Sequence, residues 1–266
     1  MESNVWYALL LTLFAGLSTG IGSFIAVFTK NTNYKFLSVA LGFSAGVMIY
    51  ISFVEILPEA NHIMEQSFQT KMGLWVTLIA FFGGMLLITI IDKLVPEYEN
   101  PHEPPAPGAM DKIPANADKL KKLGVLSATA IAIHNFPEGI ATFMSALQGA
   151  EIGLPIAIAI AIHNIPEGIA VAVPIYYATA SRKKAFKWSF LSGLAEPIGA
   201  IIAFLILMPF FTPLVMGIVF ASVAGIMIFI SLDELLPAAE KYGEHHLAIY
   251  GLLAGMAVMA VSLIIL

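Results

Sequence analysis

The sequence contains no cysteine. Disulfides, thiolate metal ligands and thiol redox chemistry are thereby excluded. Charge is also scarce. Only 12% of the 266 residues are Asp, Glu, Lys or Arg, where soluble domains carry about 25%. The formal net charge of −5 provides no basic face, which argues against nucleic acid as a partner. A glycine-rich phosphate loop ending in Gly-Lys-Ser/Thr is missing, so ATP-driven pumping is not expected. So is the His-Glu-x-x-His pattern of zinc proteases. A positive amino-terminal region is lacking too, since Glu2 is the only early charge. The apolar stretch from Val5 to Thr29 therefore reads as a first membrane span rather than a secretory signal, a bilayer core needing about 20 residues of helix.

What is present is apolar sequence, 59% of the chain. A soluble fold of this size cannot bury that much, and a bilayer can. Eight apolar segments stand out: roughly 5–29, 36–60, 73–92, 123–147, 152–178, 187–208, 212–237 and 247–266. The expectation is an all-α, polytopic membrane bundle of eight helices forming a single transmembrane domain over residues 1–266. Loop charge sets its orientation. Lys30, Lys35, Lys93, Lys112, Lys119, Lys121, Lys122, Arg182, Lys183, Lys184, Lys187 and Lys241 fall on one side, and only Lys71 on the other. The positive-inside rule makes the first side cytoplasmic and puts both termini outside. Residues 93–122 form a proline-rich, charged segment between spans three and four, which reads as a flexible cytoplasmic loop. His102 lies there and is read as solvated.

Internal repeats refine this plan. AGVMIYISFVEILPEA (45–60) matches AGIMIFISLDELLPAA (224–239), and GLSTGIGSFIA (16–26) matches GLAEPIGAIIA (193–203). The offsets are 179 and 177 residues, consistent with one duplicated three-helix unit. A weaker pairing joins Gly84-Met85 with Gly255-Met256. Matched spans are separated by an odd number of crossings, so the two units have inverted topology. This arrangement is typical of secondary transporters with a midplane substrate site. The expected plan is 3+2+3: three spans, a central antiparallel pair, three spans.

The central pair carries the chemistry. AIHNFPEGIA (132–141) and AIHNIPEGIA (161–170) put His134, Asn135, Pro137 and Glu138 in span four, and His163, Asn164, Pro166 and Glu167 in span five. Both sets start about eleven residues into their spans. Near mid-bilayer an unpaired carboxylate costs at least about 2.5 kcal/mol, and no Lys or Arg lies in these spans to pair with it. A bound cation is the remaining partner. Residues i and i+4 share a helix face, so His134 with Glu138, and His163 with Glu167, can hold one ion. Asn135 and Asn164 point about 100° away and suit a second, adjacent ion. Pro137 and Pro166 withhold amides from the Ile133 and Ile162 carbonyls, tolerable beside a polar cavity. The glycine after each glutamate permits close helix approach. Imidazole, carboxylate and amide together suit Zn²⁺, Fe²⁺, Mn²⁺ or Co²⁺, transported as substrate rather than kept as a cofactor.

Glu196, in GLAEPIG of span six, is a further candidate ligand at that depth. Glu55 and Glu59 near the outer end of span two, and Asp233 and Glu234 near the inner end of span seven, are candidate entrance and exit residues, with a helix-end role as the alternative. Ser18, Thr19 and Ser23 read as helix-packing polar residues. His62, His245 and His246 read as loop residues without a metal role.

HNFPEG (134–139) and HNIPEG (163–168), with AEPIG (195–199), SFVEILPEA and SLDELLP, resemble the signature of the ZIP (Zrt/Irt-like) metal transporters, in particular its bacterial ZupT-like branch. The likeness covers nearly the whole chain. It implies uptake of Zn²⁺, and often Fe²⁺, Mn²⁺ or Co²⁺, into the cytoplasm across the bacterial inner membrane. It also implies two metal ions. One is held by His134, Glu138, His163 and Glu167. The other is held by Asn135, Glu138, Asn164, Glu167 and Glu196, with Glu138 and Glu167 bridging. A homodimer is a further implication. The rivals are an intramembrane metal-dependent hydrolase, which needs a general base beside an open zinc position, and a passive metal channel with the same site. The chain is not expected to be an enzyme.

Overall fold

The computed structural model describes residues 2–28, 34–68, 71–94, 135–179, 181–207, 210, 212–242 and 245–265. The described residues are helical apart from turns and caps. α1 is Glu2–Phe28. α2 runs over 34–68 as Tyr34–Ile51, a π turn Ser52–Ile56, and Leu57–Phe68. α3 is Met72–Leu94. α4 is described over 135–148. α5 is Ala150–Thr179, and α6 comprises Arg182–Gly193 and Ala195–Leu207. α7 runs over 213–242 as Pro213–Ile230, a π turn Ser231–Leu235, and Leu236–Tyr242. α8 is His245–Ile265. Among the described residues, seven helices are long and apolar enough to cross a membrane. Residues 123–134 of the expected fourth span, with His134 among them, and residues 95–122 of the loop, with His102, lie outside the described residues.

Four boundaries differ from the sequence reading in ways that matter. α2 continues to Phe68 instead of ending near 60, so His62 is helical. Its last segment alternates at helical period: Ala60, Ile63 and Met64 are buried, while Glu65 and Gln66 are exposed. That polar face lowers the average hydropathy and hides the helix. α7 likewise runs on to Tyr242. α6 begins at Arg182 rather than 187, because Ser181 caps it, its hydroxyl accepting from the Lys184 amide at 3.3 Å. Arg182, Lys183, Lys184 and Lys187 thus occupy its first turns. His245 and His246 open α8 instead of lying in a loop.

Irregularities in the helices trace to proline. Pro197 has no amide for the Gly193 carbonyl, and α6 breaks at Leu194 between its two segments. Pro58 and Pro237 follow the two π turns and deny amides to Val54 and Asp233. The π turns start at Ser52 and Ser231, 179 residues apart, the offset of the sequence repeat.

α5 is the centre of the bundle, with 72% of its apolar window buried, against 22% for α3 and for α8. It packs on α1, α2 and the first half of α6. α2 packs on α8, and α3 on α7. Glycine sets these approaches. Gly46 faces the Leu252 backbone and Gly255 that of Phe43, joining α2 to α8. Gly225 faces Phe81 and Gly84 faces Ser222, joining α7 to α3. Gly22 abuts Ile165 and Gly168 abuts Thr19, joining α1 to α5. Gly199 abuts Phe136 and Gly139 abuts Glu196, joining α6 to α4. Gly16 of α1 and Gly193 of α6 touch each other. Trp6, Ile79, Leu86, Leu205 and Ile264 project outward from the bundle, as a hydrocarbon solvent requires.

Candidate metal centre

The site grows from the middle of α5. His163, Asn164 and Glu167 fall halfway along a 30-residue helix and are buried, at 0%, 0% and 3% exposure. Pro166 interrupts the amide ladder there. Glu138 enters from α4, 1% exposed, and Glu196 from α6, fully buried. The glycine after each HN-x-PE glutamate admits a neighbouring backbone: Gly139 admits α6 at Glu196, and Gly168 admits α1 at Thr19. A side chain at either position would hold these helices apart.

Glu138, His163 and Glu167 each present a ligand atom, and the three atoms lie within 4.8 Å of one another. His163 Nε2 is 3.1 Å from Glu138 Oε1. Zinc with donors at about 2.05 Å in a tetrahedron spaces them about 3.4 Å apart, so small side-chain adjustments would let all three reach a single ion. The spacing paired His163 with Glu167 along α5, and the family resemblance joined Glu138 and His134 to them; the structure brings Glu138 to that pair from across the helices. Ser44 of α2 donates to the His163 carbonyl at 3.4 Å, a contact that the sequence did not announce.

Asn164 forms the second part. Its Nδ2 donates to the Ala15 carbonyl of α1 at 2.9 Å and to Glu196 Oε1 of α6. Asn135 Nδ2 donates to the Ser192 carbonyl of α6 at 3.4 Å and is fully buried. Asn164 Oδ1, Glu196 Oε2 and His163 Nδ1 have no hydrogen-bond partner among the described residues. A buried acceptor left unsatisfied costs about 1–3 kcal/mol. A divalent cation bound by oxygen and nitrogen is the partner such atoms fit, and this donor set matches first-row transition metals.

The peripheral candidates are not members of the Glu138–His163–Glu167 group. Glu55 lies half-buried in the π turn of α2, with Glu59 one turn on. Asp233 is exposed and Glu234 buried in the π turn of α7. The remaining described histidines make surface contacts: His62 with Gln66 at 2.8 Å, and His245 with Glu240 at 2.7 Å. Ser23 donates to the Thr19 carbonyl at 2.9 Å and bonds Ser189 at the α1–α6 contact, the packing role expected of it.

Described residues that are helical apart from turns and caps, seven helices able to cross a membrane, and a buried carboxylate–imidazole cluster able to hold a metal ion define a polytopic helical membrane protein. The model of the ZIP zinc transporter family matches residues 2–123 and 93–263, and the chain belongs to that family, whose members are transporters rather than enzymes. It is 62% identical over 265 residues to the zinc transporter ZupT of Streptococcus mutans, covering 100% of this chain and 99% of that one. It is 61% identical over 268 residues to the zinc transporter ZupT of Lysinibacillus sphaericus, with 100% of both chains covered. To that of Nitratidesulfovibrio vulgaris it is 58% identical over 272 residues, covering 99% and 98%.

Proposed function

We propose that this protein carries divalent transition-metal ions, Zn²⁺ foremost and Fe²⁺, Mn²⁺ and Co²⁺ besides, across the bacterial inner membrane into the cytoplasm. The observation that carries this reading is the buried Glu138–His163–Glu167 cluster at the centre of a membrane bundle, supported by relatives named as zinc transporters. Glu138 and Glu167 bridge two ions. His134 and His163 complete the first, and Asn135, Asn164 and Glu196 the second. The Asn164–Glu196 bond supports the second position, since it gathers two of its donors. Glu55 and Glu59 guide ions in, and Asp233 and Glu234 guide them out, both termini facing outward.

The architecture is a 3+2+3 inverted repeat of eight spans. Its support is the recurrence of contacts at the repeat offset. The Gly46–Leu252 approach corresponds to Gly225–Phe81, and Gly255–Phe43 to Gly84–Ser222. Gly22–Ile165 corresponds to Gly199–Phe136, and Gly168–Thr19 to Gly139–Glu196. The same operation exchanges Gly16 and Gly193. α1, α4, α5 and α6 then form one unit bearing the site, which moves against α2, α3, α7 and α8 to expose the metal alternately. Cysteines introduced on the two sides of α5, in a chain that has none, test this: labelling must change sides with metal, and identical labelling in both conditions rules it out. Two copies associate as a dimer, testable by cross-linking in the membrane.

Metal entry into liposomes holding the purified protein and a trapped indicator tests the function itself. Saturable uptake supports a carrier. Unsaturated, channel-like flux supports the passive rival, and tight binding with no flux discards transport.

A further inference from the structure

Among the described residues one buried threonine departs from the rule that the other helical threonines follow, its hydroxyl left without a partner as are those of Ser38, Ser52 and Ser145. Within the described helices, Thr12, Thr77, Thr89, Thr142 and Thr179 each donate to the carbonyl four residues back. That is the ordinary way for a threonine to settle in an apolar helix. Thr19 is fully buried, yet its Oγ1 has no hydrogen-bond partner among the described residues. The reason lies four residues back. The Ala15 carbonyl already accepts from Asn164 Nδ2 at 2.9 Å and from Ser18 Oγ at 2.6 Å. The site itself has taken the acceptor that Thr19 would use.

Thr19 also holds a defined place relative to the site. Residue 19 corresponds to residue 196 at the 177-residue offset that relates α1 to α6. Contacts follow that correspondence. Glu196 lies against Gly16 and Gly139, and Thr19 lies against Gly193 and Gly168. The Asn164 bond to Ala15 corresponds to the Asn135 bond to Ser192. Two ends of one frame therefore differ: the Asn164 end has the carboxylate of Glu196, and the Asn135 end has the hydroxyl of Thr19. Threonine is two bonds shorter than glutamate, so its hydroxyl, which lies over Gly193, reaches less far than the Glu196 carboxylate.

We propose that Thr19 is a specificity-determining residue of the metal route, its hydroxyl holding a hydration water of a divalent cation at the end of the site without a carboxylate. This rests on the metal-carrier reading above. A neutral oxygen there leaves the imidazole of His163 to favour Zn²⁺, whereas an oxygen-rich, more acidic end would favour harder ions such as Mn²⁺.

The test uses the full chain in proteoliposomes with Thr19→Val, which keeps the shape and removes the hydroxyl, and Thr19→Ser, which keeps the hydroxyl. Zn²⁺ and Mn²⁺ uptake and the thermal melting of each variant are measured. For Thr19→Val, the KM for Zn²⁺ should rise about tenfold, the worth of one lost hydrogen bond. The Zn²⁺:Mn²⁺ preference should change and the melting temperature should hold, since no protein partner is lost. Thr19→Ser should restore wild-type behaviour. Wild-type KM and preference in Thr19→Val overturn the proposal. A drop in melting temperature that Ser reverses, with unchanged selectivity, also overturns it by making the hydroxyl structural. If wild type moves no metal, the carrier reading fails on its own, and equilibrium Zn²⁺ binding by the same variants then decides whether Thr19 serves the site.

Discussion

Replacing Gly139 with alanine isolates how the site is positioned. The added methyl would stand 2.6 Å from the Glu196 Cα, where carbon atoms prefer about 3.5–4.0 Å. The obstacle is backbone and cannot rotate away, so α4 and α6 must part by about 1 Å. Overpacking of this kind costs about 1–3 kcal/mol, against a helix-propensity gain of about 1 kcal/mol for replacing glycine. Stability should therefore fall by no more than about 2 kcal/mol. The effect on the site should be larger. Glu138 precedes Gly139, Glu196 is the residue struck, and functional groups must be held within about 0.5 Å. We expect Zn²⁺ affinity, measured at equilibrium on purified protein, to fall at least tenfold. Gly83→Ala makes the same chemical change where nothing lies within 4 Å and should bind as wild type. A folded Gly139→Ala protein with undiminished Zn²⁺ affinity would refute the claim that α4–α6 proximity builds the site.

Three further substitutions probe separate parts of the account. His163→Ala leaves oxygen donors in the cluster, so competition uptake should shift from Zn²⁺ towards Mn²⁺; an unchanged preference removes His163 from the ligand set. Asn164→Leu removes the donor that joins α1, α5 and α6 through Ala15 and Glu196. It should destabilise the protein by about 1–3 kcal/mol and weaken binding, seen by thermal melting and zinc titration, and wild-type values in both would refute the bridge. Glu55→Gln, away from the central cluster, should raise the KM for uptake severalfold while bound metal per chain stays constant; altered stoichiometry would place Glu55 in the site instead.

The chemistry of this protein was unusually legible in its sequence, and the reasons are physical. A carboxylate in the middle of an apolar span has few explanations, and two identical constellations without Lys or Arg leave fewer. His163, Glu167 and Glu138 accordingly come together as a buried group able to hold a metal ion. Helix ends were less legible. The last turns of α2 and the first turns of α6 are polar on one face, so hydropathy assigned them to loops, whereas the Ser181 cap and the buried Ala60, Ile63 and Met64 make them helical. Contacts between distant segments outside the paired motifs were not readable. Nothing in the spacing of Ser44 announces its bond to the His163 carbonyl, and nothing in that of Thr19, read as a packing residue, announces that Asn164 takes the Ala15 carbonyl that its hydroxyl would otherwise use. The π turns were visible only as the shared Ser-x-x-Glu-x-Leu-Pro of the repeat, whose meaning needed the backbone.

The most direct test of the central claim compares Zn²⁺ entry into liposomes carrying wild type, Glu138→Ala and Glu167→Ala, with bound Zn²⁺ measured on the same preparations. The account predicts saturable entry for wild type, lost together with tight binding in both variants. Entry that persists in either variant at the wild-type rate would mean that metal crosses by another route, and would contradict the assignment of the paired site as the path.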